Sequence, residues 1–371
     1  FLTEVSGGDI VIVDGDHGRI IIQPDEKTLQ QYQDELEHHR SLAVRLATLR
    51  DLPAETQDGE PIQLGANIEF PHEIQACLDR GANGIGLYRT EFLYLGADEE
   101  PTEDDHFEAY SHVVNSMSKR QVTIRTLDLG ADKMGQLPRG EEEHNPFLGV
   151  RSIRLSLRNL DLFRKQLRAV LRASVLGEVR VMFPMITTLQ ELRQAKMILN
   201  DTMEDLREDG FEYDEQIKVG MMVEVPSAVM MLDKLLKEVD FISIGTNDLI
   251  QYCLAVDRSN KDVANLYRAS DPAVLRLINT TLRAARDADV PVNVCGEMSA
   301  TPKYIPLLLG MGLRSVSVSP SAIPEIKSVC RSVTIEQCED IASRALQLDS
   351  AREVDTFLQE EIRNISPELV V

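Results

Sequence analysis

From residue 62 onward, short apolar runs rich in β-branched residues alternate with longer amphipathic stretches, and the alternation repeats eight times. The runs cover 62–68, 84–88, 122–127, 179–184, 217–225, 241–244, 290–294 and 314–318. Helical patterns come after them, for example at 72–80, 189–206, 227–239, 272–289 and 302–309. A short run that is apolar throughout reads as a strand buried on both faces, and strands separated by helices pair in parallel. Eight such units predict an α/β fold, a closed (β/α)8 TIM barrel. A doubly wound open sheet uses the same units, and periodicity alone does not separate the two.

The segment ahead of the barrel reads differently. Residues 1–25 predict a β-hairpin, with strands at 9–14 and 19–23 about a turn at 15–18. Two strands alone are marginal in water, so this piece is expected to be the remnant of a larger domain. A long, highly charged helix is expected over 26–50, of the kind that links domains. Residues 51–61 (D-L-P-A-E-T-Q-D-G-E-P) read as a linker, and 51–371 as the barrel domain, closed by helices at 334–348 and 350–364. Acidic runs at 99–105 and 141–143 read as solvated loops.

Charge narrows the partners. The formal net charge is −22, from 61 acids against 39 bases. That field disfavours nucleic acid and anionic membranes as partners, and any anionic substrate needs a local group of arginines. No apolar run reaches the roughly 18 residues of a membrane span. The five cysteines show no metal-ligand spacing, and their odd number suits a reducing cytoplasm. Neither a dinucleotide fingerprint nor a G-x-x-x-x-G-K-[ST] loop is present, so ATP is not expected to bind.

The chemistry lies at the C-terminal ends of the apolar runs. The stretch D-F-I-S-I-G-T-N-D-L-I-Q (240–251) is a buried strand, a tight turn and a helix start carrying Asn247 and Asp248. Run two ends in Arg89, run three carries Arg125 and Asp128, run five ends in Glu224, and run seven ends in Cys295. Each alone has a structural explanation: Arg89 with Glu91 as an ion pair, Glu224 and Asp248 as caps, Cys295 as a small buried hydrophobe. Together, in a barrel, these positions converge on the C-terminal mouth, where such folds carry their sites. Glu224 and Asp248 are hard oxygen donors without a histidine among them, which points to Mg²⁺ rather than Zn²⁺. Arg89 and Arg125, with Arg151 and Arg258 as further candidates, offer forks for phosphate or carboxylate, and Lys133 a point charge. Such a set suits a small molecule bearing both groups. Cys295, with an ordinary thiol pKa of roughly 8.5, is a proton donor at neutral pH.

The motifs G-I-G-L-Y-R-T-E-F-L-Y (84–94), R-T-L-D-L-G-A-D-K (125–133), N-P-F-L-G-V-R (145–151) and F-P-M-I (183–186) resemble the phosphoenolpyruvate-utilising enzymes. So do D-F-I-S-I-G-T-N-D-L (240–249), L-A-V-D-R-S-N (254–260) and V-C-G-E-M (294–298), and the set is most similar to enzyme I of the sugar phosphotransferase system. The resemblance implies a dimerising (β/α)8 barrel in which Arg89, Arg125 and Arg258 bind phosphoenolpyruvate with Asn247 and Asp248. Arg151 and Lys133 also fall on motif positions. Glu224 and Asp248 would hold Mg²⁺, and Cys295 would protonate the enolate carbon to release pyruvate.

One departure qualifies this. The family passes phosphate to a histidine in a G-G-x-x-S-H-type motif on a swivelling domain, and none of the seven histidines here has that context. The hairpin is therefore expected to be the tail of that domain, and the chain the C-terminal part of a longer protein whose missing part meets a histidine-containing phosphocarrier protein. Rival readings are a pyruvate phosphate dikinase or phosphoenolpyruvate synthase, a Mg²⁺-dependent lyase barrel, and a silent dimerisation module.

Overall fold

The computed structural model describes residues 6–15, 18–95, 99–130 and 144–369. The chain divides into two compact units, Phe1–Arg50 and Asp51–Val371. In the first, strands β1 (Val11–Asp14) and β2 (Arg19–Ile22) pair antiparallel, with Val11 opposite Ile22. The helix Glu26–Ala47 starts at Asp25, whose carboxylate accepts from the Thr28 N–H at 2.7 Å. Tyr32 ties that helix to the hairpin, donating to Asp14 Oδ2 at 2.8 Å.

The second unit is the barrel. Its strands are β3 (Gln63–Ile68), β4 (Ile85–Arg89), β5 (Val122–Arg125), β6 (Val179–Phe183), β7 (Lys218–Val223), β8 (Phe241–Ile244), β9 (Val292–Val294) and β10 (Ser315–Val318). All eight are parallel, in the order β10-β3-β4-β5-β6-β7-β8-β9. The pairing of Ser315 with Gln63 closes the ring, so the closed barrel holds and the open sheet does not. Each observed strand lies on one of the eight apolar runs. Most of their residues are buried, because helices cover the outside and side chains fill the inside.

The structure corrects the acidic run at 99–105. Its second half opens the helix Glu103–Ser116, with Thr102 and Asp105 as a reciprocal cap. Three acids in the first turn suit the positive end of the helix. Glu103 is also held by Arg168 and Arg172, each at 2.6 Å. The run at 141–143 lies outside the described residues. The helix expected over 227–239 is two pieces, Pro226–Met230 and Leu232–Leu235. No helix among the described residues is long and apolar enough to cross a membrane. All five cysteines are free.

Candidate functional site

In a closed parallel barrel every strand ends at the same mouth. That mouth holds a cavity of about 660 Å³, within the usual range for small-molecule sites. Arg89, Arg125, Arg151, Glu224, Asn247, Asp248, Arg258 and Cys295 all line it. Lys133 lies outside the described residues. Glu91, Asp128, Asp257 and Glu297 share the lining, which among the described residues sets four arginines against six carboxylates.

A ladder of ion pairs crosses the floor. Arg125, 7 % exposed at the end of β5, gives Nη2 to Glu91 Oε1 at 2.5 Å and Nη1 to Asp128 Oδ2 at 2.9 Å. Arg151 Nη2 lies 2.9 Å from the other Asp128 oxygen and 3.1 Å from Asp248 Oδ2. Arg151 Nη1 reaches Tyr252 Oη at 3.3 Å, and that hydroxyl donates to the Phe147 carbonyl at 2.5 Å. The remaining arginines sit nearer solvent. Arg89 pairs with Glu69 at 2.7 Å, and Arg258 Nη1 lies 4.0 Å from Glu297. The Arg89–Glu91 pair suggested by sequence is thus not formed. The register sets Ile68 beside Tyr88, so Glu69 meets Arg89, while Glu91 turns towards Arg125 on the next strand.

The carboxylates are not equivalent. Burial pushes Glu224 well above the ordinary range, and its neighbours Asp248 and Asp128 push the same way against Arg125 and Arg151. Burial also raises Asp248, ahead of the opposing pull of Arg151. At Asp128 burial pulls upward too, but Arg125 and Arg151 win and hold it below the usual range. An excess of buried acid of this kind is relieved by a cation. Among the described residues no three His, Cys, Asp or Glu side chains cluster to enclose a metal. Two carboxylates fit Mg²⁺, which keeps waters and takes substrate oxygens for its other positions.

Glu224 is seated closely. Its Oε1 accepts from the Met185 N–H at 2.6 Å, in a backbone turn with Met185 at φ +52°. Across the carboxylate, a Cβ on Gly245 would lie 2.5 Å from Glu224 Oε2 and 2.9 Å from Met222 Sδ. Gly245→Ala is therefore expected to lower the unfolding free energy by about 1–3 kcal/mol, as overpacking does. Chemical denaturation measures this, and an unchanged midpoint would mean that the carboxylate gives way freely.

Asn247 and Glu297 are joined twice. Asn247 Nδ2 donates to Glu297 Oε1 at 3.0 Å, and the Glu297 N–H donates to Asn247 Oδ1 at 2.9 Å. Cys295, 2 % exposed, lies in the cavity wall with Sγ 3.7 Å from the Ile244 carbonyl. Sequence reading left Glu91, Tyr252 and Glu297 without roles in a site. Tyr252 carried a usable signal, since it stands one helical turn beyond Asp248 and so shares its face.

Comparison with known proteins places this geometry among relatives. A phosphoenolpyruvate-protein phosphotransferase from Staphylococcus carnosus (strain TM300) is 43% identical over 363 residues, covering 97% of this chain and 63% of that one. Namesakes from Geobacillus stearothermophilus and Staphylococcus aureus are 47% and 44% identical, over 96% and 95% of this chain and 62% and 61% of theirs. The chain thus spans less than two thirds of the length of these relatives. The family of the PEP-utilising enzyme, PEP-binding domain, matches residues 43–335, and the chain belongs to that family.

Proposed function

We propose that this chain is the substrate-binding part of a phosphoenolpyruvate–protein phosphotransferase. It takes up phosphoenolpyruvate with Mg²⁺, presents the phosphoryl group to a histidine on a separate domain, and releases pyruvate. The observation that carries this is the make-up of the cavity, which among the described residues has four arginines and six carboxylates around one wall cysteine. Forks alone would suit an anion, yet among the described residues the acids outnumber them. A multiply charged anion enters such a site favourably only together with a divalent cation.

Glu224 and Asp248 would hold the Mg²⁺, whose chemistry is to neutralise charge on the substrate oxygens. Arg125 and Arg151 grip from the floor, and Arg89, Arg258 and Asn247 from the open side, fixing the phosphate in line for attack. Transfer breaks the bond between phosphorus and the enol oxygen and leaves the electron pair on the enolate. Cys295 then gives its proton to the methylene carbon, and the thiolate recovers one from solvent. Burial favours this, because it raises the thiol above its ordinary value and keeps it protonated at neutral pH.

The identity of 43–47% to named phosphotransferases favours this reading over a dikinase, a synthase or a lyase. The protein would act as a cytoplasmic homodimer that feeds a histidine-containing phosphocarrier protein of sugar transport. Its five free thiols suit a reducing compartment.

Titration calorimetry tests the core of the proposal. Phosphoenolpyruvate is expected to bind roughly 5–150-fold more tightly with Mg²⁺ than with EDTA, and Mg²⁺ to gain by the same factor from phosphoenolpyruvate. Absence of binding at millimolar ligand, or affinity indifferent to Mg²⁺, would refute it.

A further inference from the structure

The helix Leu160–Ala173 buries an apolar face that includes Leu162, Phe163, Leu167 and Val170, yet Gln166 stands among them with no exposure. An amide there is tolerated only if bonded. Its Oε1 accepts from the Leu127 N–H at 2.9 Å, and its Nε2 donates to Thr90 Oγ1 and to Tyr110 Oη, both at 3.0 Å. Thr90 Oγ1 in turn donates to the Arg125 carbonyl at 2.8 Å. Gln166 touches no part of the cavity, but the backbone on both sides of Thr126 ends on this one side chain.

These contacts fix the direction of the bonds to Gln166. The Leu127 N–H decides which end of the amide is oxygen, since the flipped amide would oppose donor to donor. Tyr110 Oη, the acceptor for Gln166 Nε2, also lies 3.0 Å from His106 Nδ1. The other ring nitrogen, Nε2, lies 3.0 Å from Tyr94 Oη. Burial pushes that imidazole down to about 4, so it stays neutral at physiological pH.

We infer that Gln166, acting with Thr90, is a positioning residue for the site: it pins residues 125–128 so that Asp128 holds the Arg125 fork in register with the substrate. This rests on the proposed role of Arg125 in binding phosphoenolpyruvate. Calorimetry of phosphoenolpyruvate with Mg²⁺ on this chain tests it, with a control on the same helix. Gln166→Met and Thr90→Val are expected to weaken binding about tenfold, whereas Thr90→Ser, which keeps the hydroxyl, stays within about twofold. Leu167→Ala loosens the helix without touching the bonds, and should bind as the wild type does below its melting temperature. Wild-type affinity in Gln166→Met, or an equal loss in Leu167→Ala, would overturn the inference. If the wild-type chain bound no phosphoenolpyruvate, the parent reading would fail instead. Hydrogen exchange at the Leu127 amide then decides the clamp by itself: faster exchange in Gln166→Met supports it, and an unchanged rate overturns it.

Discussion

Arg125→Met is expected to abolish phosphoenolpyruvate binding and to lower folding stability by about 3–5 kcal/mol, the usual consequence of stranding buried partners of a removed charge. Arg125 is the shared cation of Glu91 and Asp128, and all three side chains are nearly buried. Glu91 Oε2 already lacks a hydrogen-bond partner among the described residues, so Arg125 is the main compensation for that carboxylate. Asp128 is depressed in the folded protein, so its contribution is present above the unfolded carboxylate pKa of roughly 3.9 and lost as pH falls through the lower folded value. Glu91 is already raised by burial, and losing Arg125 raises it further. A raised carboxyl destabilises above its unfolded pKa. The deficit of Arg125→Met should therefore widen from pH 4 to pH 8 in urea denaturation. Adding Glu91→Gln should recover part of the stability and none of the binding. A loss below about 1 kcal/mol at pH 8, or one that does not change with pH, would show that the ladder is not the support described.

The barrel was legible because a parallel strand cannot hide its apolar run. The stretch at 241–244 and the observed strand Phe241–Ile244 coincide, and the other seven differ only at their ends. The site was legible for the same reason: charged residues directly after buried strands must share one mouth once the ring closes. Pairing was not legible. Arg89 and Glu91 are two residues apart in sequence, but the partner of each lies on a neighbouring strand end, Glu69 for one and Arg125 for the other. Those choices depend on register, which periodicity does not encode. The acids at 103–105 misled for a related reason. A run of negative charge reads as a loop unless the arginines that receive it are known, and Arg168 and Arg172 stand more than 60 positions later. Gln166 was invisible for the opposite reason, as one polar residue in a convincing apolar helix face.

Cys295→Ala is expected to leave phosphoenolpyruvate affinity within about twofold while slowing pyruvate formation by about 10²–10⁴-fold, the range for loss of a positioned proton donor. The assay supplies a domain bearing the acceptor histidine. In the proposed site affinity would survive, because the substrate's charges would be met by the arginines and by a cation at Glu224 and Asp248, not by sulfur. Turnover falls because the enolate left by phosphoryl transfer must be quenched on carbon. Without a donor in the wall it either returns its electron pair to phosphorus or escapes as the enol. With phosphoenolpyruvate carrying tritium stereospecifically at one C3 position, the wild type in deuterated water should give pyruvate with a methyl of one handedness, and Cys295→Ala a racemic methyl. Because burial lifts the thiol above its ordinary value, the donor stays loaded through neutral pH, and activity should fall only as alkaline pH passes that raised value. If Cys295 were merely a small hydrophobe packed against Leu87 and Met222, alanine would cost about 1 kcal/mol of stability and nothing in turnover. Normal turnover with a methyl of one handedness from Cys295→Ala would decide for that simpler role, and the proton would have to come from another group in the wall.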